Sequence, residues 1–206
     1  VVRELGGVIE ENCTVESMQV SAGKIESVQT SNGEYSATNI VLAMAVWSTA
    51  LAKSIDINLP LQPGKGYSIT YNKPSVVPKT PLVLSESSVC VTAWPDGFRL
   101  GSTMEFSGFD ESLNAKRLAA LEIGAREYLL EPMGSEVQEQ WYGWRPMTYD
   151  DLPIIGKSPK HDNLYIATGH GMLGMSMSAI TGQSIAELIC GQTVSIDIQA
   201  LSAGRF

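Results

Sequence analysis

Leu164-Tyr165-Ile166-Ala167-Thr168 runs directly into Gly169-His170-Gly171-Met172-Leu173-Gly174, and a helix-patterned segment continues from there to Ile189. The pattern predicts a strand, a glycine turn and a helix. Such a junction aims backbone N–H groups and the positive end of a helix dipole at one point, which suits an anionic or electron-rich ligand. The spacing also reads Gly-x-Gly-x-x-Gly, the dinucleotide fingerprint. A lone match is weak, and this one stands where few residues remain to build the other parallel strands of a nucleotide-binding half.

Just upstream lies Gly143-Trp144-Arg145-Pro146-Met147-Thr148-Tyr149-Asp150-Asp151-Leu152-Pro153-Ile154-Ile155-Gly156. Further back come Ile40-Val41-Leu42-Ala43-Met44-Ala45-Val46-Trp47-Ser48, Lys65-Gly66-Tyr67-Ser68-Ile69-Thr70 and Arg99-Leu100-Gly101-Ser102-Thr103-Met104-Glu105-Phe106. Taken in this order, the segments resemble the C-terminal part of FAD-dependent D-amino-acid dehydrogenases and, more distantly, glycine oxidase and the wider D-amino-acid oxidase family. The resemblance covers nearly the whole chain, and none of its motifs names the substrate side chain. Members of that family begin with a strand and a glycine turn that hold the FAD pyrophosphate. The first half here has no such segment and no start methionine, so the chain is expected to be a C-terminal fragment that is inactive by itself.

Composition sets wider bounds. The chain has 206 residues, 44% of them hydrophobic and 17% charged, enough for one large or two small domains. A net charge of −8 with dispersed Lys and Arg speaks against a nucleic-acid partner. No apolar run approaches the roughly 18 residues of a membrane span, and residues 1–10 lack a signal-peptide layout. Cys13, Cys90 and Cys190 form no C-x-x-C pair and read as packing residues of a reducing, cytoplasmic compartment; His161 and His170 are too isolated for a metal site.

The expected fold is mixed α+β and α/β. A partial FAD-binding domain, made of an antiparallel meander and the strand, glycine turn and helix, accompanies a substrate domain built on an antiparallel sheet. Strand-like runs at Val15 to Val20, Lys24 to Thr30 and Tyr35 to Leu42, separated by Ala22-Gly23 and Asn32-Gly33, predict the meander. Prolines and a glycine in Leu59 to Gly64 mark a crossing point. The expected division is therefore 1–60 in the FAD-binding domain, 61–140 in the substrate domain and 141–206 back in the first. Strands from Val83 to Glu105 flank Pro95-Asp96-Gly97, and Leu118, Leu121, Ala125 and Leu129 predict a helix over Asn114 to Leu130 with an apolar stripe. The last helix is expected to pack Met175, Ser178, Ala179, Gly182, Ile185, Ala186 and Ile189 on a sheet or a ligand.

The resemblance assigns roles residue by residue. It implies FAD as cofactor and an amino-acid substrate. The electron acceptor (oxygen, a quinone or a protein carrier) and membrane contact of the parent protein, at the inner membrane, stay open. Arg145 matches the residue that pairs with the substrate carboxylate, a role suited to a planar guanidinium; the plainer reading is a structural ion pair. Met104 matches a pocket-lining position, and Tyr67 is a candidate for the pocket border; both are otherwise strand packing. The backbone of Gly169, His170, Gly171, Met172, Leu173 and Gly174 faces the flavin ring system, with the His170 side chain as an added donor. Val15, Ala43, Met44, Ala45 and Trp47 match positions that contact the adenosine and inner parts of FAD. Ala45 stands where relatives usually have glycine, and Met172 and Met175 where dehydrogenase relatives often have Thr and Trp. The first departure motivates the alternative, a non-catalytic scaffold whose flavin site has decayed.

Overall fold

The computed structural model describes all 206 residues. They form two compact units, Val1–Leu61 with Thr148–Phe206, and Gln62–Met147. No helix is long and apolar enough to cross a membrane.

In the first unit, strands β1 (Val15–Ser21), β2 (Lys24–Thr30) and β3 (Gly33–Tyr35) make an antiparallel meander in that order. Ala22 and Gly23 turn the first hairpin with φ of +46° and +77°, positive at both central positions as a tight hairpin requires. The segment Tyr35 to Leu42 is not one strand. After Tyr35 the chain leaves the meander, and β4 (Ile40–Leu42) pairs instead in parallel with β11 (Leu164–Thr168). β10 (Ile154–Lys157) closes this second sheet on the other side of β11, antiparallel to it.

β11 is buried on both faces, which explains its unbroken apolar run. Leu164 and Ile166 join a core with Ile25, Leu42, Leu51, Ile57 and Ile154, while Tyr165 packs with Ile155 and Ile185. The Asn163 side chain, just ahead of β11, accepts from the Ile25 N–H and donates to the Ile25 carbonyl, each at 2.8 Å. This buried double bond ties the meander to the parallel sheet. Helix α1 (Ser48–Ser54) follows β4, and α3 (Gly174–Ile189) follows β11. The small-residue face of α3 is open and not packed on the sheet. Thr181, Ser184 and Ile185 are its buried residues, whereas Met175 is 90% exposed. The small residues Gly174, Ser178 and Gly182 instead line a cavity.

The second unit is one sheet in the order β6-β7-β8-β5-β9, with strands β5 (Gln62–Tyr71), β6 (Leu82–Leu84), β7 (Val89–Trp94), β8 (Gly97–Glu105) and β9 (Val137–Met147). Helix α2 (Ala115–Arg126) packs Leu118, Leu121 and Ala125 on one face, against Tyr67, Ile69, Phe98 and Leu100. Its N-cap, Asn114, accepts from the Lys116 N–H at 3.1 Å. The helix ends at Arg126 and not at Leu130, its last turn closed where the Tyr128 and Leu129 N–H groups both donate to the Ala125 carbonyl. The return to the first unit also comes later than expected. Residues 141–147 belong to β9, which pairs with β5 from Gln62↔Met147 to Tyr71↔Val137, so the crossing falls at Thr148.

The C-terminus of the first unit is fastened by Arg205. It donates through Nε to Asp150 at 2.8 Å and also to the carbonyls of Leu201, Ser202 and Leu152. The Arg205 hydrogen bond holds the Asp150 carboxyl at about 2, below its ordinary 3.8. Because the folded value is the lower one, this stabilisation is complete above pH 3.8 and is lost as pH falls through about 2. Asp150→Asn is expected to lower unfolding stability by about 1–2 kcal/mol at pH 7, with the difference from the parent vanishing near pH 2 in denaturant titrations.

Candidate functional site

Two strands of the first unit, β4 and β11, run parallel, and their C-terminal ends are where an open α/β sheet places ligands. β4 ends at Leu42 and the chain turns through Ala43, Met44 and Ala45. Ala45 sits at φ +47°, a left-handed conformation natural to glycine. The turn is braced from β11 and from α1: the Thr168 hydroxyl donates to the Ala45 carbonyl at 3.0 Å, and the Met44 N–H donates to Ser48 Oγ at 3.2 Å. The departure at Ala45 is therefore a matter of backbone strain carried by the fold.

β11 ends in the glycine turn, with Gly169 at φ +76° and Gly171 at +52°. A Cβ at Gly169 would stand 3.0 Å from Thr148 Cγ2 and 3.3 Å from Leu61 Cδ2, so space as well as dihedral angle requires glycine. α3 then starts at Gly174 with no side-chain cap on its N-terminus. Its first-turn N–H groups and dipole are thereby left for a ligand. His170 Nε2 and Thr181 Oγ1 lie 3.0 Å apart in a hydrogen bond that joins the turn to the second turn of the helix. Burial pushes the His170 imidazole down from its ordinary pKa, which favours the neutral ring.

Around these two turns lie two cavities. One, of about 330 Å³, is lined by Val41, Ala43, Ala167, His170, Gly174, Ser178, Thr181, Gly182 and Ile185. The other, of about 580 Å³, is lined by Cys13, Thr14, Val15, Glu16, Met44, Trp47, Ala50, Leu51 and Ser54. The predicted cofactor residues thus fall into two sets, Ala43, His170 and Gly174 in the first and Val15, Met44 and Trp47 in the second. Ala43 and Met44, adjacent in sequence, divide between them. Met172 and Leu173 are exposed at the tip of the turn, and nothing sequence-based pointed to Thr168 or Thr181.

In the second unit the open face of the sheet carries Arg145. Its guanidinium donates through Nη1 to the Thr103 carbonyl at 3.1 Å and through Nη2 to the Ser102 carbonyl at 3.3 Å. It lies flat across Gly66, where a Cβ would collide with it. No acidic side chain forms a salt bridge with it, and burial pulls its pKa down from the ordinary value. The two accepting carbonyls belong to a β-bulge, with φ of +114° at Ser102 and +31° at Thr103. β8 spends one residue more than β5 between the pairs Tyr67↔Ser102 and Lys65↔Glu105. That extra residue inverts the alternation downstream. Glu105 turns to the α2 face beside Lys65, and Met104 turns to the Arg145 face, its Sδ 3.8 Å from Nη1.

Tyr67 is separated from them. It is 1% exposed in the core on the α2 face, and its hydroxyl donates to Glu105 at 2.5 Å. That hydroxyl holds the Glu105 carboxyl below the usual range. On the same face the fully buried Lys65 pairs with Asp110 at 2.7 Å, donates to the Ser112 carbonyl and lies 4.6 Å from the Tyr142 ring centroid. The structure brings Met104 to Arg145 and places Tyr67 behind the sheet, because Tyr67 is one residue out of phase with Gly66.

Residues 1–188 match the family described as FAD dependent oxidoreductase (DAO). A D-amino acid dehydrogenase of Chromohalobacter salexigens is 34% identical over 204 residues, 98% of this chain and 48% of that protein. One from Xanthobacter autotrophicus is 38% identical over 198 residues, 94% of this chain and 46% of its own length. The chain spans about half the length of the curated relatives it matches. Among solved structures, glycine oxidase from Geobacillus kaustophilus superposes with a TM-score of 0.88 at 24% identity, over 98% of this chain and 54% of that one. L-proline dehydrogenase from P. horikoshii gives 0.87 at 20%, over 99% and 56%; these two likenesses show the fold.

Two substitutions check the geometry. Gly169→Ala, forced into a left-handed dihedral against Thr148, is expected to cost about 1–3 kcal/mol of unfolding free energy. Tyr67→Phe, which removes one of the two hydrogen bonds to Glu105, is expected to cost about 1 kcal/mol of unfolding free energy, measured by denaturation.

Proposed function

The chain belongs to the FAD dependent oxidoreductase family (DAO), and from that premise we propose that it serves in the oxidation of a D-amino acid or a similar amine-bearing carboxylate. The observation that carries this reading is Arg145, a half-buried guanidinium whose hydrogen-bond partners are backbone carbonyls and a thioether. A guanidinium has five N–H groups, and its Nε–H takes no part in holding the bulge. The edge that includes Nε stays available to receive a carboxylate in the fork geometry natural to arginine. A cation removed from water without a counter-ion gains more from such a ligand than an exposed one does.

We assign FAD to the first unit, with Val15, Met44 and Trp47 along one cavity, Ala43, His170 and Gly174 along the other, and the backbone of Gly169 to Gly174 as donors. The uncapped α3 N-terminus fits this group, since it presents N–H donors and a positive dipole end where an electron-rich ring edge needs them. FAD, when bound, supplies the acceptor for the hydride that leaves the substrate Cα. The residues of this chain bind and orient: Arg145 fixes the carboxylate, Met104 borders it, and neutral His170 braces the glycine turn through Thr181. We place the protein in the cytoplasm on its three free thiols, Cys13, Cys90 and Cys190. The alternative of a non-catalytic scaffold draws no support from relatives named as dehydrogenases and oxidases.

Replacing Arg145 with Met in the FAD-loaded protein is expected to weaken carboxylate ligands by about 10- to 100-fold, the loss of a charge-assisted pair, with Arg145→Lys falling between. Calorimetric titration with acetate measures it. Unchanged acetate affinity in Arg145→Met would overturn the assignment.

A further inference from the structure

Strand alternation puts Trp141, Gly143 and Arg145 of β9 on one face of the second unit's sheet, opposite Ser68, Gly66 and Gly64 of β5. Gly66 and Gly143 are directly opposed. A Cβ added to Gly66 would strike the Arg145 guanidinium, and a Cβ added to Gly143 would come 3.2 Å from Trp141 Cζ3. The cation and the indole therefore lie down from opposite directions along β9 over the two members of one glycine pair. A side chain at Gly66 would displace the guanidinium, and one at Gly143 would press on the indole.

The indole is also held from behind. The Arg99 guanidinium carbon stands 5.5 Å from the Trp141 ring centroid, and Arg99 is itself fixed by Thr70 at 2.9 Å and by an ion pair with Glu139 at 3.2 Å. Its charge is thus answered on the sheet, and its contribution to the site is to orient the ring. Trp141 remains 40% exposed. An indole lying beside Gly143, faced by a guanidinium on one side and open on the other, is an apolar wall beside the cation.

We infer that Trp141 is a specificity-determining residue, the wall against which the side chain of a substrate anchored at Arg145 rests. This inference depends on the carboxylate role of Arg145 proposed above. It names the substrate class: amino acids with an apolar aliphatic or aromatic side chain, favoured over glycine, which reaches no wall, and over acidic side chains, which would set a second carboxylate against the negative face of an aromatic ring.

The test uses three unreactive carboxylates, acetate, succinate and 3-phenylpropanoate, titrated calorimetrically into the FAD-loaded protein. The parent is expected to bind 3-phenylpropanoate at least tenfold more tightly than either of the others. Trp141→Ala should abolish that preference while leaving acetate within twofold, and Trp141→Phe should restore most of it. If Arg145→Met leaves acetate binding intact, the carboxylate reading fails and this inference with it. If Arg145→Met weakens acetate but Trp141→Ala leaves the ratio of 3-phenylpropanoate to acetate affinity unchanged, the role of Trp141 alone is overturned. Should Trp141→Ala not fold, Trp141→Leu and Trp141→Phe decide the same ratio.

Discussion

Two backbone carbonyls pointing at one guanidinium organise the second unit. Ser102 and Thr103 adopt positive φ without being glycine, an arrangement that costs on the order of 1–3 kcal/mol per residue unless neighbouring groups over-determine it. Arg145 supplies two charge-assisted bonds to that bulge from one face. From the other face, the Glu105 side chain just downstream is held by the Tyr67 hydroxyl and by the Asn114 amide. The bulge is thus gripped on both sides of the sheet. In return it fixes where Arg145 lies and which way Met104 points. The same contacts that stabilise the fold set the position of the cation.

The first unit reaches a comparable result by another route. There the candidate binding groups are mostly main chain, and what positions them is the left-handed backbone at Ala45, Gly169 and Gly171 at the ends of two parallel strands. Thr168 links the two turns by donating to the Ala45 carbonyl. A threonine hydroxyl ending one strand thereby fixes the turn that follows the other. This arrangement suits a large flat ligand that needs many weak donors in register more than it needs one strong charge.

The strand, glycine turn and helix at Leu164 to Ile189 were legible because three separate signals agree there: a short apolar run, glycines where the backbone must turn, and a helical period after them. The candidate cofactor residues rest on the resemblance carried by the same segment and by Ile40 to Ser48, with Val15 added from the meander. Other features lay beyond sequence pattern for identifiable reasons. Nothing in Ser36 to Asn39 interrupts a strand-like run strongly enough to show that β3 and β4 belong to different sheets. Trp141 to Met147 is equally suitable as strand in either unit, and only its ladder with β5 decides. Ser102 and Thr103 carry no preference for positive φ, so a bulge made by tertiary hydrogen bonds leaves no local trace. Without that bulge, the face on which Met104 sits is not predictable.

Parity explains why the sheet divides its chemistry as it does. Along β5 the even positions Gly64, Gly66, Ser68 and Thr70 are small, and the odd positions Lys65, Tyr67, Ile69 and Tyr71 are large and packed toward α2. A buried lysine is tolerable on the crowded side because Asp110, the Ser112 carbonyl and two tyrosine rings satisfy it there. So answered, Lys65 has no free charge to offer a ligand. The opposite face has glycines, a serine and a threonine as its floor, and the guanidinium stretched across that floor meets no carboxylate of its own chain. Charge that is satisfied on one side and lacks a carboxylate partner on the other, separated by a single strand, makes the glycine face of this sheet the one whose electrostatics suit an anion.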